Sequence, residues 1–429
     1  MRYIYQFFYN IIWHIFIVGW LVWQSIKSIK SKDKQAILDR LAIFKKTDKN
    51  SVIWFHGSSL GEVISLLPLM KTLKETIDHK AILTVSTIRG YQIAQQKAQE
   101  LAEIHYLPWD VSYLMKRVLK LWHPNMVILF ETELWPNLLW TCKSKKVPIA
   151  LISGRISMRS YPRYRLARFF FRTILSDILL WMQSQEDAER IIGMGAAKNH
   201  VQVLGDIKLD GIRTCLPQEE LNKLKNLFHP KSFVWVIGST HENEEKMLIP
   251  VYKHLLAIYP ELLCILAPRH LFRMQEIMSL LDAENIQYTL RSKIEEEEPH
   301  NLILLDTYGE LAQVYAIADI VFIGGTLVPV GGHNLLEPAA FGKVVLFGTY
   351  INNCRLQARM LIEQGAGISC ENPEVLQMQL EKLLSTPIEL ESRGKKGQEI
   401  ILKNQGVLKK YVDAIQHILN KTTEKSLNI

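Results

Sequence analysis

The sequence predicts an α/β protein built from two Rossmann-like halves. Three observations predict it. Short apolar runs recur, each the length of a buried parallel strand, and each empties into a glycine or polar turn that opens a helix. Strand and helix signals alternate, as they do when crossover helices join parallel strands. A polar, weakly patterned stretch at 212–230 divides the 429 residues into two parts with the same rhythm.

Composition narrows the function classes. A hydrophobic content of 48% supports large buried cores. Cys142, Cys215, Cys264, Cys354 and Cys370 show no paired spacing, which argues for a reducing compartment and against a disulfide frame or zinc site. The net charge of +8 suits a membrane surface or an anionic substrate. No RNP, zinc-finger or helix-turn-helix pattern occurs, so nucleic acid is not an expected partner.

Residues 4–23 are apolar and aromatic, broken only by Gln6, Asn10 and His14. Twenty helical residues span about 30 Å, one bilayer core. Trp13, Trp20 and Trp23 suit interface anchors. Lys27, Lys30, Lys32 and Lys34 follow, against Arg2 alone before. These features predict an N-terminal membrane helix over 1–26, a basic linker over 27–50, and the bulk of the chain on the cytoplasmic side. No small-residue cleavage site follows, so a signal-anchor is expected rather than a removed signal peptide. A helix lying flat in the interface, or a buried helix, is the alternative.

Residues 51–56 read as the first strand, followed by Gly57-Ser58-Ser59-Leu60-Gly61-Glu62 and a helix to about 75. Glu62 falls at the carboxyl end of a strand, where open α/β sheets bind ligands. A carboxylate there is a candidate general base; a first-turn Glu that complements the helix dipole is the alternative. Strands follow at 81–86 and 126–130, the latter ending in Glu131-Thr132-Glu133-Leu134-Trp135-Pro136-Asn137. After a strand at 147–152, residues 153–172 mix six arginines with Tyr161, Tyr164, Phe169, Phe170 and Phe171. Such a basic, aromatic surface suits anionic lipid or a phosphorylated acceptor, with a solvated charged face as the alternative. Gly205-Asp206-Ile207-Lys208-Leu209-Asp210 closes the first half.

In the second half, strands at 233–237, 262–266 and 302–305 end in Gly238-Ser239-Thr240-His241-Glu242, Ala267-Pro268-Arg269-His270 and Asp306-Thr307-Tyr308-Gly309-Glu310. The run Glu295–Glu298 reads as an exposed loop. The strand Ile320–Ile323 empties into Gly324-Gly325 and Gly331-Gly332, then Asn334 as a helix cap and Glu337 in the first turn. Bare N–H groups at such a turn would form an anion site, and Glu337 would suit a ribose hydroxyl pair. A row of polar βα turns at one edge describes a nucleotide cleft. Because no Asp-x-Asp triplet occurs, no metal is expected, and leaving-group charge would fall to Arg269, Lys208 and helix N-termini.

Six of these motifs resemble one family: His56 through Val63, Glu131 through Asn137, Gly205 through Asp210, Ser239 through Glu242, Pro268 through His270, and Gly331 through Glu337. The sequence resembles the bacterial Kdo transferases, 3-deoxy-D-manno-octulosonic acid transferases that act on lipid A precursors. The resemblance implies a GT-B fold, two Rossmann-like domains facing a cleft. An acceptor-binding domain would occupy 51–211, a CMP-sugar-binding domain 231–404, and a C-terminal helix and tail 405–429. It implies CMP-Kdo as donor, a phosphorylated lipid A precursor (lipid IVA) as acceptor, inversion at the anomeric carbon, no cofactor, and work at the bacterial inner membrane. Glu62 matches the family's base, and Glu131 and Lys208 match its transition-state stabilisers. Pro268 and Arg269, Tyr308, Gly309 and Glu310, and Asn334, Leu335, Leu336 and Glu337 match its CMP-binding segments. The chain departs from the family at Ser153-Gly154-Arg155-Ile156-Ser157, where Asn-Ala-Arg-Leu-Ser is usual, at Gly348-Thr349-Tyr350, where Gly-Pro-His is usual, and at Gly57-Ser58-Ser59-Leu60. Another transferase of this fold with a different nucleotide sugar, or a non-catalytic membrane-tethered nucleotide-binding module, are the alternatives.

Overall fold

Residues Val52–His56, Met126–Phe130 and Ile320–Ile323 are buried at every position. A run with no solvent face settles in the middle of a parallel sheet, between two helical layers. The computed structural model bears this out; it describes residues 2–27, 34–47, 51–230, 232–294 and 300–427. Lys30, Lys32 and the run Glu295–Glu298 lie outside the described residues, as do the side chains of Trp20, Trp23, Lys27 and Lys34.

Seven strands form the first sheet: β1 (Val52–His56), β2 (Lys80–Val85), β3 (Glu103–Tyr106), β4 (Met126–Phe130), β5 (Ile149–Gly154), β6 (Leu179–Met182) and β7 (Val201–Val203). Their order is β3-β2-β1-β4-β5-β6-β7. The second sheet holds β8 (Val234–Thr240), β9 (Leu263–Pro268), β10 (Thr289–Leu290), β11 (Leu302–Leu304), β12 (Ile320–Ile323), β13 (Val344–Phe347) and β14 (Gly367–Ser369), in the order β10-β11-β9-β8-β12-β13-β14. The ladders of both sheets are parallel. The strand order reverses between β1 and β4 in one sheet and between β8 and β12 in the other, which makes each a doubly wound, Rossmann-like unit.

The units are discontinuous in sequence: residues 1–211 with 406–429, and residues 212–405. The stretch 212–230 is therefore not a plain linker. It carries a helix, Gln218–Phe228, whose Leu221, Leu224, Leu227 and Phe228 fall at helical spacing, with Phe228 buried in the second unit. The C-terminal helix Val407–Leu427 returns to the first unit and lays Val407, Tyr411, Val412, Ile415 and Leu419 into its core.

The expected transmembrane span needs correction. The N-terminal helix forms, over Arg2–Lys27, but among the described residues no helix is long and apolar enough to cross a membrane. The polar breaks explain why. Asn10 and Gln6 reach the Asn137 amide at 3.4 and 3.2 Å, Tyr9 donates to Asp110 at 3.0 Å, and Arg2 donates to the Trp140 carbonyl at 2.7 Å. Tyr5, Tyr9 and Trp13 pack on the first unit's core. One face of the helix thus belongs to the unit, and the apolar residues are split between that face and the outside.

The departure at 153–154 is a packing feature. Ser153 closes β5 with a positive φ of 47°, its Oγ accepts the Ile207 N–H at 3.1 Å, and its own N–H donates to the Tyr411 hydroxyl at 2.9 Å. A Cβ on Gly154 would lie 2.6 Å from the Met182 sulfur, so Ala has no room there. Tyr411 also donates to the Gly205 carbonyl at 2.9 Å. Tyr411→Phe strands a buried N–H and a carbonyl, and is expected to destabilise the protein by about 1–3 kcal/mol. Urea denaturation checks this; a change within error would mean that water replaces the hydroxyl.

Candidate functional site

In the first unit the strand-order reversal places the ends of β1 and β4 side by side. The helix Leu60–Thr76 starts just past β1, with Ser59 as its cap and Glu62 in its first turn. The Glu62 carboxylate accepts the Ser58 N–H at 2.7 Å and the Ser59 hydroxyl at 2.8 Å. Ser59 thus donates to Glu62 instead of accepting from the helix backbone. Burial pushes the Glu62 carboxyl above its usual range; the two hydrogen bonds oppose this, and the charges of Glu133 and Glu131 add to it. Each Glu62 oxygen has one donor and keeps room for a second.

Past β4, Glu131 has a positive φ of 55°, a sparsely populated conformation for a residue with a side chain. Its carboxylate meets Lys208 at 2.5 Å, across 77 residues of sequence. The structure thus brings together two of the sequence-predicted residues, and Lys208 Nζ also lies 5.8 Å above the Phe130 ring. The Lys208 amide donates to Asp206 at 3.0 Å. Glu133 accepts from His56 Nε2 at 3.1 Å and from the Trp135 indole at 2.7 Å. Burial would raise its pKa, but the hydrogen bond and charge of His56, with Trp135, hold it below the usual range. Glu133 therefore stays an anion beside Glu62.

In the second unit the expected anion site of bare N–H groups is overturned. The amides of Gly325, Thr326 and Leu327 donate to the Glu244 carboxylate at 2.6, 3.0 and 3.0 Å, and the His241 amide does so at 2.9 Å. Glu244 is fully buried at the start of the helix Glu244–Ile258. The amides of Gly331 and Gly332 turn inward to the Gly325 carbonyl. The helix cap shifts as well: the helix is only Leu336–Ala340, capped by Leu335, and Asn334 accepts from the Leu336 N–H at 3.1 Å.

The other predicted nucleotide residues keep polar groups at the strand ends. Asn334 donates to Glu337 at 3.0 Å, and burial raises the Glu337 carboxyl against the pull of that bond and of Arg269. Leu335 and Leu336 are buried, and the Leu335 N–H already meets Gln357 at 2.9 Å. Pro268 is buried while Arg269 is exposed. Tyr308 is 81% exposed, Gly309 has a φ of 86°, and Glu310 is held by Thr307 at 2.5 Å and Arg291 at 2.9 Å.

Two groups carried no role in the sequence reading. Glu244 was hidden because its partners lie 81 to 83 residues away. His241 and His333 stood inside two of the motifs, and their Nε2 atoms meet at 2.8 Å.

A sequence-family model described as 3-deoxy-D-manno-octulosonic-acid transferase (kdotransferase) matches residues 35–211. A 3-deoxy-D-manno-octulosonic acid transferase of Haemophilus influenzae is 33% identical over 373 residues, 86% of this chain and 87% of that protein. One from Chlamydophila psittaci is 30% identical over 348 residues, 78% of either chain. Among solved structures, a glycosyltransferase from Rickettsia africae superposes with a TM-score of 0.58 at 13% identity, covering 87% of this chain and 99% of that one. That likeness concerns the fold alone, and it agrees with the two-unit GT-B expectation.

Removing the Glu244 carboxylate tests what holds the glycine turn. Glu244→Ala leaves four N–H groups, two of them buried, without their acceptor and is expected to cost more than about 3 kcal/mol, at roughly 1–3 kcal/mol for an unmet group. Glu244→Gln keeps one oxygen but turns an NH2 toward donors, so its loss should be intermediate. Denaturant midpoints rank the three proteins. Equal midpoints would show that the turn holds without the carboxylate.

Proposed function

The chain belongs to the 3-deoxy-D-manno-octulosonic acid transferase family, and from that premise we propose that it moves Kdo from CMP-Kdo to a sugar hydroxyl of a phosphorylated lipid A precursor, lipid IVA. The transfer proceeds with inversion and without a metal. The observation that carries this reading is Glu62, a half-buried carboxylate fixed by two donors, held above its usual range, with room on each oxygen for a hydroxyl.

Glu62 takes the proton of the acceptor hydroxyl as that oxygen attacks the anomeric carbon. Burial and the neighbouring acids raise its basicity toward that task. CMP leaves as a stable anion, so the barrier falls mainly through charge stabilisation. Lys208, oriented by Glu131, keeps two of its three N–H donors for negative charge that develops in the reaction. The metal-free part of the proposal rests on the lack of an Asp-x-Asp triplet.

The acceptor is a lipid, and the outer face of the N-terminal helix supports a membrane surface as its source. Tyr3, Ile4, Phe7, Phe8, Ile12, Ile15 and Phe16 are all more than half exposed there. Tyr5 of the same helix meets Phe170 edge-on, at 5.6 Å between ring centres. Phe170 belongs to the basic segment, which breaks at Ala167 into the helices Tyr161–Leu166 and Arg168–Leu175. Arg159, Arg163, Arg165, Arg168 and Arg172 are exposed beside Met158, Leu166 and Phe169. An apolar stripe next to arginines is the pattern of a helix lying in an anionic interface. We place it on the cytoplasmic leaflet of the inner membrane.

Glu62→Gln keeps size and most hydrogen bonding but cannot take a proton. Turnover should fall by at least about 100-fold. The wild-type rate should rise with pH through a limb above the ordinary carboxylate range; that limb should vanish in Glu62→Gln and persist in Glu131→Gln. A carboxyl whose folded pKa is raised contributes stability at low pH that is lost as pH rises through it, so Glu62→Gln should be at least as stable as wild type above the limb. EDTA should leave turnover unchanged. A folded Glu62→Gln protein at near wild-type rate would move the base to Glu131.

Flotation with anionic vesicles tests the membrane face. Phe8→Asp with Ile12→Asp should weaken binding by more than about tenfold, since each exposed apolar side chain contributes roughly 1.5–3 kcal/mol when buried, while the melting temperature holds. Wild-type protein that resists extraction at alkaline pH would favour a spanning helix instead.

A further inference from the structure

His241 follows β8 and His333 follows the glycine loop of β12, so the two meet where the second sheet reverses its order. Their Nε2 atoms are 2.8 Å apart, their ring centres 5.1 Å apart, and their planes within 4°. The centre separation exceeds the N–N distance by about two ring radii. The rings are therefore nearly collinear, nose to nose in one plane, and not face to face. Gly325 lies beside both; a Cβ there would come within 3.2 Å of His241 and 3.4 Å of His333.

One ring must donate and the other accept, so the line holds a single proton. A second proton would put N–H against N–H and break it. The charged groups that face the pair are Arg269 and His270 from the end of β9, Arg273 from the turn after it, and Glu245 from the helix behind it, where Glu244 also accepts the amides of His241 and Gly325. Arg273 is neutralised by a bidentate bond to Glu245, at 2.8 and 3.0 Å. Arg269 and the exposed His270, whose ring stands edge-on to His241 at 5.5 Å, both disfavour a further positive charge on the pair. Burial first, and then Arg269, His241 and His270, pull His333 down to about 4. Burial first, and then His270, Arg273 and Arg269, pull His241 down as well, against Glu245.

The glycine turn beside this pair cannot supply amides to an anion, because Glu244 holds them. We propose that the His241–His333 pair, with Arg269, is the binding site for the phosphate of the nucleotide donor, and that phosphate binding takes up one proton from solvent and opens the pair. The inference rests on the nucleotide reading of the second unit. Arg269 by itself opposes the extra proton. A phosphate against Arg269 cancels that charge, the accepting imidazole takes a proton from water, and the broken N–H···N bond yields two N–H donors, one of them charged, for the phosphate oxygens. The full chain thus couples donor affinity to pH through the histidine pair.

The test is titration calorimetry of the full chain with the methyl phosphodiester of CMP, whose single charge does not titrate near neutral pH. Measured in buffers of different ionisation heat, binding should take up close to one proton, and Kd should tighten by up to about tenfold per pH unit on acidification. Cytidine should bind with no uptake. His333→Gln and His241→Gln should each abolish the uptake, flatten the pH profile and weaken the diester by about 10- to 100-fold, with cytidine binding retained as the check on folding. His270→Gln should keep the uptake. Diester binding without proton uptake, or uptake that survives in both variants, overturns this inference and leaves the nucleotide reading standing. Failure to bind any nucleotide overturns both.

Discussion

In a doubly wound parallel sheet, the two strands at the order reversal send their chains to opposite faces and leave a crevice at their carboxyl ends. The rest of the site chemistry depends on that gap. In the first unit it lies between β1 and β4, whose ends carry Glu62, Glu131 and Glu133. In the second it lies between β8 and β12, whose ends carry His241 and His333. One geometric rule, applied twice, gathers an acidic set in one unit and a basic set in the other. The acidic set suits a base that acts on a hydroxyl, and the basic set suits an anion.

Burial alone does not decide what a carboxylate does. Glu244, Glu133 and Glu62 are all withdrawn from water, and desolvation is the largest influence on each. Their partners separate them. Glu244 faces four backbone donors and holds a loop. Glu133 faces His56 and Trp135, which keep it ionised. Glu62 is raised by burial first, as Glu244 is, but it has only two donors, and two acidic neighbours add to the rise.

Legibility in the sequence follows the range of the interaction. β1, β4 and β12 could be placed because a strand buried on both faces writes a continuous apolar run. The edge strands β3, β7, β10 and β14 are two to four residues long and half covered, too short for a period to show. Motifs located Glu62, Glu131 and Lys208, yet the contact of the last two spans 77 residues and has no local signature. The glycine turn was misread for the same reason. Its sequence is that of a phosphate loop, and only the distant Glu244 shows that its amides are taken.

The N-terminal helix shows how one composition supports two readings. Counted along the chain, Gln6, Asn10 and His14 interrupt an otherwise apolar run, and the run reads as a span. Placed on the helix, Gln6 and Asn10 point with Arg2 and Tyr9 toward Asn137, Asp110 and Trp140. Asp110 is buried and accepts from the amides of Asn137 and Leu138 at 2.9 and 2.8 Å as well as from Tyr9; burial still lifts its carboxyl to about 6. Pulling the helix away would expose that network and remove Tyr5, Tyr9 and Trp13 from the core. A helix tied down this way keeps one face on its unit and offers the other. That face is an apolar stripe joined through Phe170 to an arginine-rich surface. The packing that holds one face of the helix on the unit therefore decides which face stays exposed.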